Sequence, residues 1–538
     1  MKKEDIFDAI TDIDGSVIEE AGAMRRARIA KIIRYVGNIA AIFVIFIIVY
    51  RRGSMDKKAL VENATMSSTE ISYAAMAEES VTEGAMLEES MVEAASEATG
   101  ESRKSLSSDA LNDLVMGDDP NLLVASPIPE MAQKPDDELM FSEKGMAEYD
   151  SQMEAWSKDL EKYTANEPEA DSSVDGFSGR LIRGFFETAG DENRILSPIN
   201  VYFALAMLAD TTDGNSRQEL VDALGAQDID SLRKNAVDLW NYNFRDDGVA
   251  TSILGSSIWL SNEYNYNTQT LQNLSYYYNA ESYSGEMGSD SLNESLHNWM
   301  NARTGNFLEN QVGNLNLSRE TVAAIVTTAY FKDSWTKSFE AFNNTELTFK
   351  GTKGEKETTF MNNSSRNVMY TGKGYRAMAL PMNEGYDMLF IRPDEGYGPE
   401  DLFADNEALS LILSKYAETD SKTVRVDYSI PKFDAESTVE LSDIVKAMGI
   451  SDVFTGKADF TPLTADTTDL AVSDILHGAR VKIDEDGCEA AAYTAITVGA
   501  TAMPVDEPEE FILDKPFIYV IRNNMGAPLF VGVINNIE

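Results

Sequence analysis

The later half of the chain alternates short apolar runs with turn residues, a pattern typical of β-strands. Strand-like runs rich in β-branched and aromatic residues lie at 375–382, 386–393, 424–433, 479–485, 517–523 and 529–534. Helix-like runs fall earlier, at 201–210 and 319–330. Helices followed by a strand-rich half predict a single large α+β domain over residues 176–538.

One apolar run near the N-terminus is much longer than the others. Residues 36–50 carry no charge, and the apolar stretch reaches back to residue 32 for 19 positions, close to the about 20 residues of a membrane-crossing helix. Basic residues are frequent on both sides, which favours a membrane span over a buried core helix. The sequence therefore predicts a signal-anchor transmembrane helix over 35–50, a short cytoplasmic segment over 1–34 and an extracellular remainder.

The stretch between this run and the predicted domain is strongly acidic. From Gly53 to Asp175 it holds 29 acidic and 8 basic side chains, with few aromatic residues. Such a composition buries too little apolar surface to offset the entropy lost on ordering. Residues 51–175 are therefore predicted to be a disordered linker, with a transient helix at 143–163.

Charge and rare residues exclude several functions. The net charge of -45 opposes binding to nucleic acid, and a single cysteine, Cys488, permits no intrachain disulfide. The two histidines, His297 and His477, lie in no hydrolase or metal-binding motif. No catalytic residue, metal ligand or cofactor is predicted, and the chain is not expected to be an enzyme.

Several ordered blocks of the chain resemble the serpin family of serine protease inhibitors. They lie at 196–220, 329–339, 429–464, 476–495 and 515–534. The resemblance implies a serpin fold, with a large central β-sheet, additional sheets, eight or nine helices and a mobile reactive loop near the C-terminus. It also implies a monomer.

The resemblance assigns roles to particular residues. It implies a cluster that controls opening of the central sheet, made of Ser197, Asn200, Thr327, Trp335 and His477. The family often has asparagine at the position of Thr327 and serine at that of Asn200. The implied hinge and inserting segment of the reactive loop comprises Glu485, Gly487, Cys488, Glu489, Ala490, Ala491, Ala492 and Thr494.

The composition of the implied loop fits two structures. Counting from Cys488, alternate residues are uncharged and small or β-branched, so one face can be buried as a strand after cleavage. The family pattern places the cleaved bond at Thr501–Ala502. Because small neutral residues surround this bond, elastase-like or subtilisin-like serine proteases are the expected targets.

The leading hypothesis is a suicide-substrate inhibitor that forms a covalent acyl complex with its target protease. The inhibitor is expected to be tethered to the cell membrane by residues 35–50, with its large domain outside. Two alternatives stay open at this point: a non-inhibitory serpin-fold binding protein, and a protease sensor whose output is the cytoplasmic segment.

Overall fold

A computed structural model describes most of the chain from residue 119 onward, together with one segment near the N-terminus. The described residues are 40–51, 119–126, 128–136, 139–140, 143–164, 172–304, 316–414, 417–485, 487, 507–523 and 525–537. They contain ten α-helices: α1 Glu143–Thr164, α2 Ser172–Glu187, α3 Pro198–Thr211, α4 Gly214–Ala223, α5 Ile229–Asn243, α6 Thr268–Tyr278, α7 Asp290–Arg303, α8 Pro399–Ala404, α9 Asn406–Leu413 and α10 Ser442–Ala447.

The strands form two sheets. They are β1 Ala40–Arg51, β2 Leu122–Val124, β3 Arg194–Leu196, β4 Arg245–Asp246, β5 Thr251–Ser261, β6 Ala280–Gly285, β7 Thr321–Lys332, β8 Thr345–Gly351, β9 Gly354–Gly372, β10 Tyr375–Pro381, β11 Asp387–Pro393, β12 Asp420–Pro431, β13 Phe433–Glu440, β14 Leu470–Ile483, β15 Glu509–Ile512, β16 Phe517–Arg522 and β17 Pro528–Ile534. The central sheet has the order β13-β14-β1-β7-β5-β6-β2, with β4 paired to β5, and the second sheet has the order β15-β12-β9-β10-β11-β16-β17-β3, with β8 paired to β9.

Helix α3 joins the two sheets into one core. All its residues from Pro198 to Thr211 are buried, and the helix contacts β1 and β7 of the central sheet and β17 of the second sheet. Ser197 caps its N-terminus by accepting a hydrogen bond from the Asn200 amide, and Pro198 occupies the first turn, where no amide donor is needed. The predicted α+β architecture with a large central sheet is confirmed, but the described residues contain ten helices where eight or nine were predicted.

The N-terminal apolar run forms a strand where a transmembrane helix was predicted. The residues from Ala40 to Arg51 make up β1 in the middle of the central sheet, so the prediction of a helix over 35–50 is wrong for residues 40–50. The eight residues from 42 to 49 are all β-branched or aromatic, which favours a strand buried on both faces. Within the described part of the chain, no helix combines the length and apolar character needed to cross a membrane.

Part of the predicted disordered linker is folded onto the domain. Strand β2 pairs with β6 at the edge of the central sheet. Helix α1 is held by Trp156, whose indole donates to Asp247 at 3.0 Å, and by Tyr163, whose ring packs edge-on against Phe244 at 5.1 Å. The prediction of a disordered linker over 51–175 is therefore wrong for residue 51, for the described residues between 119 and 164, and for residues 172–175, which begin α2. The helix predicted at 143–163 forms as α1, because its aromatic residues find partners in the domain. Residues 52–118 and the predicted cytoplasmic segment 1–34 lie outside the described residues.

A third error concerns another strand of the central sheet. The run at 319–330 was predicted to be helical, yet Thr321–Lys332 form β7. Nearly every residue of β7 is buried, so the strand shows none of the alternation that identifies a half-exposed strand. Alanines within it favour a helix by intrinsic propensity, but pairing on both sides with β5 and β1 decides the structure.

Candidate functional site

Strands β14 and β7 run parallel to each other and are separated by β1, which is antiparallel to both. We call the space between β14 and β7 the insertion slot. Its register runs from Ala40 opposite Lys482, at the end where the predicted reactive loop begins, to Arg51 opposite Leu470 at the far end. A strand that turned back after β14 and paired with it would also be antiparallel to it.

Both edges of β14 are paired in this structure. Strand β13 lies along one edge, with Phe433 opposite Ile483, and β1 lies along the other. Because a strand has only two hydrogen-bonding edges, any segment that inserts next to β14 must replace one of these neighbours. The insertion slot is therefore filled by residues of the same chain.

Four of the five residues in the predicted sheet-opening cluster lie near the middle of the slot, in two groups on either side of β1. Ser197 caps α3, and Asn200 donates from Nδ2 to the Thr327 carbonyl at 3.4 Å. The Thr327 hydroxyl donates back to the Asn200 carbonyl at 3.5 Å. On the other side of the slot, His477 Nε2 lies 3.2 Å from the Ile195 carbonyl.

Ile45 of β1 lies between the two halves of this cluster. In the sheet register it is opposite His477 on one side and Thr327 on the other, so the two cluster residues are not adjacent. Complete burial lowers the pKa of His477 to about 4, although its contact with the Ile195 carbonyl acts in the opposite direction. The imidazole is therefore neutral at pH 7, because burial disfavours its charged form.

Trp335 does not belong to this cluster. Its indole Nε1 donates to the Asp484 carbonyl at 3.0 Å, and Asp484 follows β14 seven positions beyond His477, or roughly 23 Å along an extended chain. Trp335 instead supports the base of the predicted reactive loop. The proposed cluster thus separates into a middle group and a loop-base group.

The loop base contains a charged network that the sequence did not indicate. Glu485 accepts from Lys432 Nζ and from Asn344 Nδ2, each at 2.5 Å, and its carbonyl accepts from the Phe339 amide at 2.9 Å. Burial raises the pKa of Glu485, but the Lys432 and Asn344 donors, a backbone hydrogen bond and the charge of Lys432 together outweigh burial, and the net effect lowers the pKa. Lys432 and Asn344 are far apart in sequence, and no local motif marks either of them.

Gly487 is the last described residue of the predicted hinge. Its φ is +73°, and a Cβ atom there would lie 2.5 Å from the Trp335 amide nitrogen and 2.6 Å from Ser334 Cα. Only glycine satisfies both the backbone conformation and this close approach. The next described residue is Glu507, after which β15 pairs in parallel with β12 in the second sheet.

The remaining predicted loop residues lie outside the described residues. These are Cys488, Glu489, Ala490, Ala491, Ala492 and Thr494 of the inserting segment, and Thr501 and Ala502 of the predicted reactive bond. Their assignments stay predictions. Among the residues that the structure describes, no group of three or more His, Cys, Asp or Glu side chains is placed to hold a metal ion.

The fold and the slot define a class of α+β protein built around a large central sheet. The family described as serpin (serine protease inhibitor) matches residues 172–537. The chain belongs to the serpin family. Its relatives are thus generally protease inhibitors and not enzymes, and their partners are proteases.

Curated relatives match over most of their length. The chain is 24% identical to mouse neuroserpin over 383 residues, which cover 68% of this chain and 92% of neuroserpin. It is 26% identical to pig leukocyte elastase inhibitor over 378 residues, or 67% of this chain and 97% of that protein.

Solved structures share the fold. The native state of tengpin, a thermophilic serpin, has a TM-score of 0.59 at 24% identity and covers 68% of this chain and 93% of its own. Thyroxine-binding globulin in complex with thyroxine has a TM-score of 0.58 at 20% identity and covers 68% of this chain and 98% of its own. At these identities the likeness is one of fold alone.

Proposed function

We propose that the chain is a suicide-substrate inhibitor of elastase-like or subtilisin-like serine proteases. The observation that carries this proposal is the insertion slot, a long pairing edge directly next to the strand from which the reactive loop departs. Strand β14 has 14 residues, which gives an edge of about 45 Å. A loop segment of 15 residues, from Gly487 to Thr501, would span about 50 Å when extended.

The chemistry begins as an ordinary protease reaction. The serine Oγ of the protease attacks the carbonyl carbon of Thr501, the bond to the Ala502 nitrogen breaks, and that nitrogen leaves as an amine after receiving a proton from the protease. The product is an ester between the protease and Thr501. Water would normally hydrolyse this ester and release an active protease.

Inhibition requires that loop insertion be faster than hydrolysis. Insertion as an added strand next to β14 would carry the attached protease away from the loop end of the sheet, in the manner of reactive-loop insertion into a β-sheet. The uncharged face from Cys488 to Val498 would be buried without an unpaired charge. Each inhibitor molecule is consumed in the process.

We also propose that residues 35–50 associate with the cell membrane and keep the serpin domain on the outer face. The support is the uncharged run with basic residues on both sides. The residues that form β1 overlap this run, so the strand and the membrane-bound form are alternative states of one segment.

A substitution at the proposed reactive bond tests the inhibitory function. In the full chain, Thr501→Arg should redirect covalent complex formation from elastase to trypsin, since trypsin-like pockets bind a basic side chain. Thr468→Arg, at an exposed position before β14, is the matched control and should leave the preference unchanged. Complexes are scored on denaturing gels, with and without phospholipid vesicles. If the Thr501 variant forms its complex with elastase as before and none with trypsin, the placement of the bond is wrong.

A second candidate is a non-inhibitory binding protein of serpin fold. The observation that favours it is that the slot is filled by β1, which leaves no edge of β14 for the reactive loop. Under this alternative, elastase cleaves the loop and no complex survives denaturation in any sample.

A further inference from the structure

Strand β1 occupies the position that the proposed mechanism requires for the cleaved reactive loop. It pairs with β14 from Ala40 to Arg51 and with β7 from Ala40 to Tyr50, and it enters the sheet at the end from which the loop departs. Its direction is the one that a loop returning from β14 would have. A regulatory role for β1 rests on the proposed function, because β1 and the cleaved reactive loop would occupy the same slot.

The side chains of β1 are integrated into the core. All five described ones, Ile45, Phe46, Ile47, Ile48 and Val49, are buried, with exposures of 6% or less. Helix α3 contacts the strand, and Ile45 separates His477 from Thr327. Residues buried in this way must leave before another strand can enter.

The strand and the reactive loop are mutually exclusive occupants. The edge of β14 that faces β7 is paired with β1 from Lys482 to Leu470, and the other edge is paired with β13. A protease that cleaves the loop while β1 is in place would find no open edge for the new strand. Hydrolysis of the ester would then be faster than loop insertion, and the chain would behave as a substrate.

The composition of β1 identifies a competitor for it. Residues 36–50 are uncharged, and Arg and Lys side chains lie close to both ends of this run, which matches the interior and the interfaces of an anionic lipid bilayer. In a bilayer the segment must be helical to satisfy its own backbone hydrogen bonds, so it cannot pair with β14 at the same time. We propose that Ala40–Arg51 is a built-in strand that blocks the insertion slot, and that a lipid bilayer withdraws it and thereby activates inhibition.

A disulfide trap tests whether β1 fills the slot. Ile47 is opposite Ile475 in the register, so the double variant Ile47→Cys/Ile475→Cys should cross-link on mild oxidation of the lipid-free full chain. The matched control, Ile47→Cys/Val472→Cys, moves the second cysteine three positions, or about 10 Å, out of register and should not cross-link. Both pairs carry Cys488→Ser, which removes the natural cysteine, and the Cys488→Ser chain is the reference.

The same samples are then mixed with elastase. The oxidised Ile47/Ile475 chain should be cleaved without a denaturation-resistant complex. For this oxidised chain, the number of inhibitor molecules consumed per protease molecule silenced should be at least about tenfold higher than for the reference sample. The reference sample is the reduced chain mixed with vesicles of phosphatidylcholine and phosphatidylglycerol. Adding the vesicles before the oxidant should lower the cross-link yield by a similar factor and increase the amount of complex.

Each contrary result has a separate meaning. Absence of the in-register cross-link, or a cross-link that joins two chains, overturns the assignment of β1 to the slot of its own chain. A cross-linked chain that inhibits as well as the reduced one overturns the blocking role, and a yield unaffected by vesicles overturns the role of the bilayer. If the cross-link forms and vesicles relieve it, but no sample forms a complex, the strand exchange stands and the proposed inhibitory function fails.

Discussion

Replacing Ile47 with alanine perturbs the middle of β1 and measures how much this strand contributes to the fold. The Ile47 side chain is completely buried, and its neighbours in the sheet, Ile325 and Ile475, are at most 1% exposed. The substitution removes three carbon atoms, worth about 0.8 kcal/mol each when buried. A cavity penalty is added because packed neighbours relax only partly, so the expected loss in the free energy of unfolding is about 2 to 5 kcal/mol.

Urea unfolding of the lipid-free full chain, followed by tryptophan fluorescence, measures this loss from the shift in midpoint at constant slope. Leu123→Ala in β2 is the matched control, because Leu123 is 54% exposed at the sheet edge and should cost less than about 0.5 kcal/mol. If Ile47→Ala costs no more than the control, β1 is not part of the folded core. The assignment of this segment to the slot would then be refuted.

Three further predictions concern the slot and the loop. Gly487→Ala should lower the free energy of unfolding by more than Gly190→Ala does. Both glycines have positive φ, but only at Gly487 would an added Cβ lie against Trp335. Equal losses in urea unfolding would contradict the close packing at the loop base. Burial lowers the pKa of His477 from 6.5 to about 4. Between these pH values the unfolded chain therefore binds more protons than the folded chain. The free energy of unfolding should fall by about 1.4 kcal/mol per pH unit as the pH drops through this window. Comparison of the parent with His477→Gln isolates this part of the slope, and an NMR signal of His477 that titrates near pH 6.5 would contradict it. Ala490→Arg should be cleaved by elastase like the parent yet form little covalent complex, because it places a charge on the face that must be buried. Ala491→Arg, on the opposite face, should reduce complex formation much less. If the two variants consume equal amounts of inhibitor per protease silenced, the predicted alternation is refuted.

Local pattern was sufficient for much of the second sheet. The predicted runs at 375–382, 386–393 and 517–523 correspond to β10, β11 and β16. In these strands β-branched and aromatic residues are bounded by turn residues, so the signal is contained in the segment itself. The family motifs were likewise local and ordered, and the family match confirms the family that they indicated.

The candidate site was less predictable because its contacts are long-range. The sequence motifs identified Asn200, Thr327 and His477, but no pattern indicates that Ile45 separates Thr327 from His477. The same holds for Lys432 and Asn344, which fix Glu485 from positions that are distant in the chain. Trp335 was grouped with the wrong set, since a motif gives a residue's identity but not which end of a strand it supports.

The error at β1 has a physical origin that also explains why this strand is suited to a switch. A strand buried on both faces of a central sheet and a helix buried in a bilayer make the same demand, that every side chain be uncharged and apolar. Periodicity distinguishes them only when one face is polar, and residues 42–49 have no polar face. The choice is therefore made by the surroundings, an open edge between β14 and β7 or a lipid interior. A segment whose sequence satisfies both environments can move from the sheet to the bilayer without any covalent modification. The inhibitor's capacity to accept its reactive loop would change with that movement.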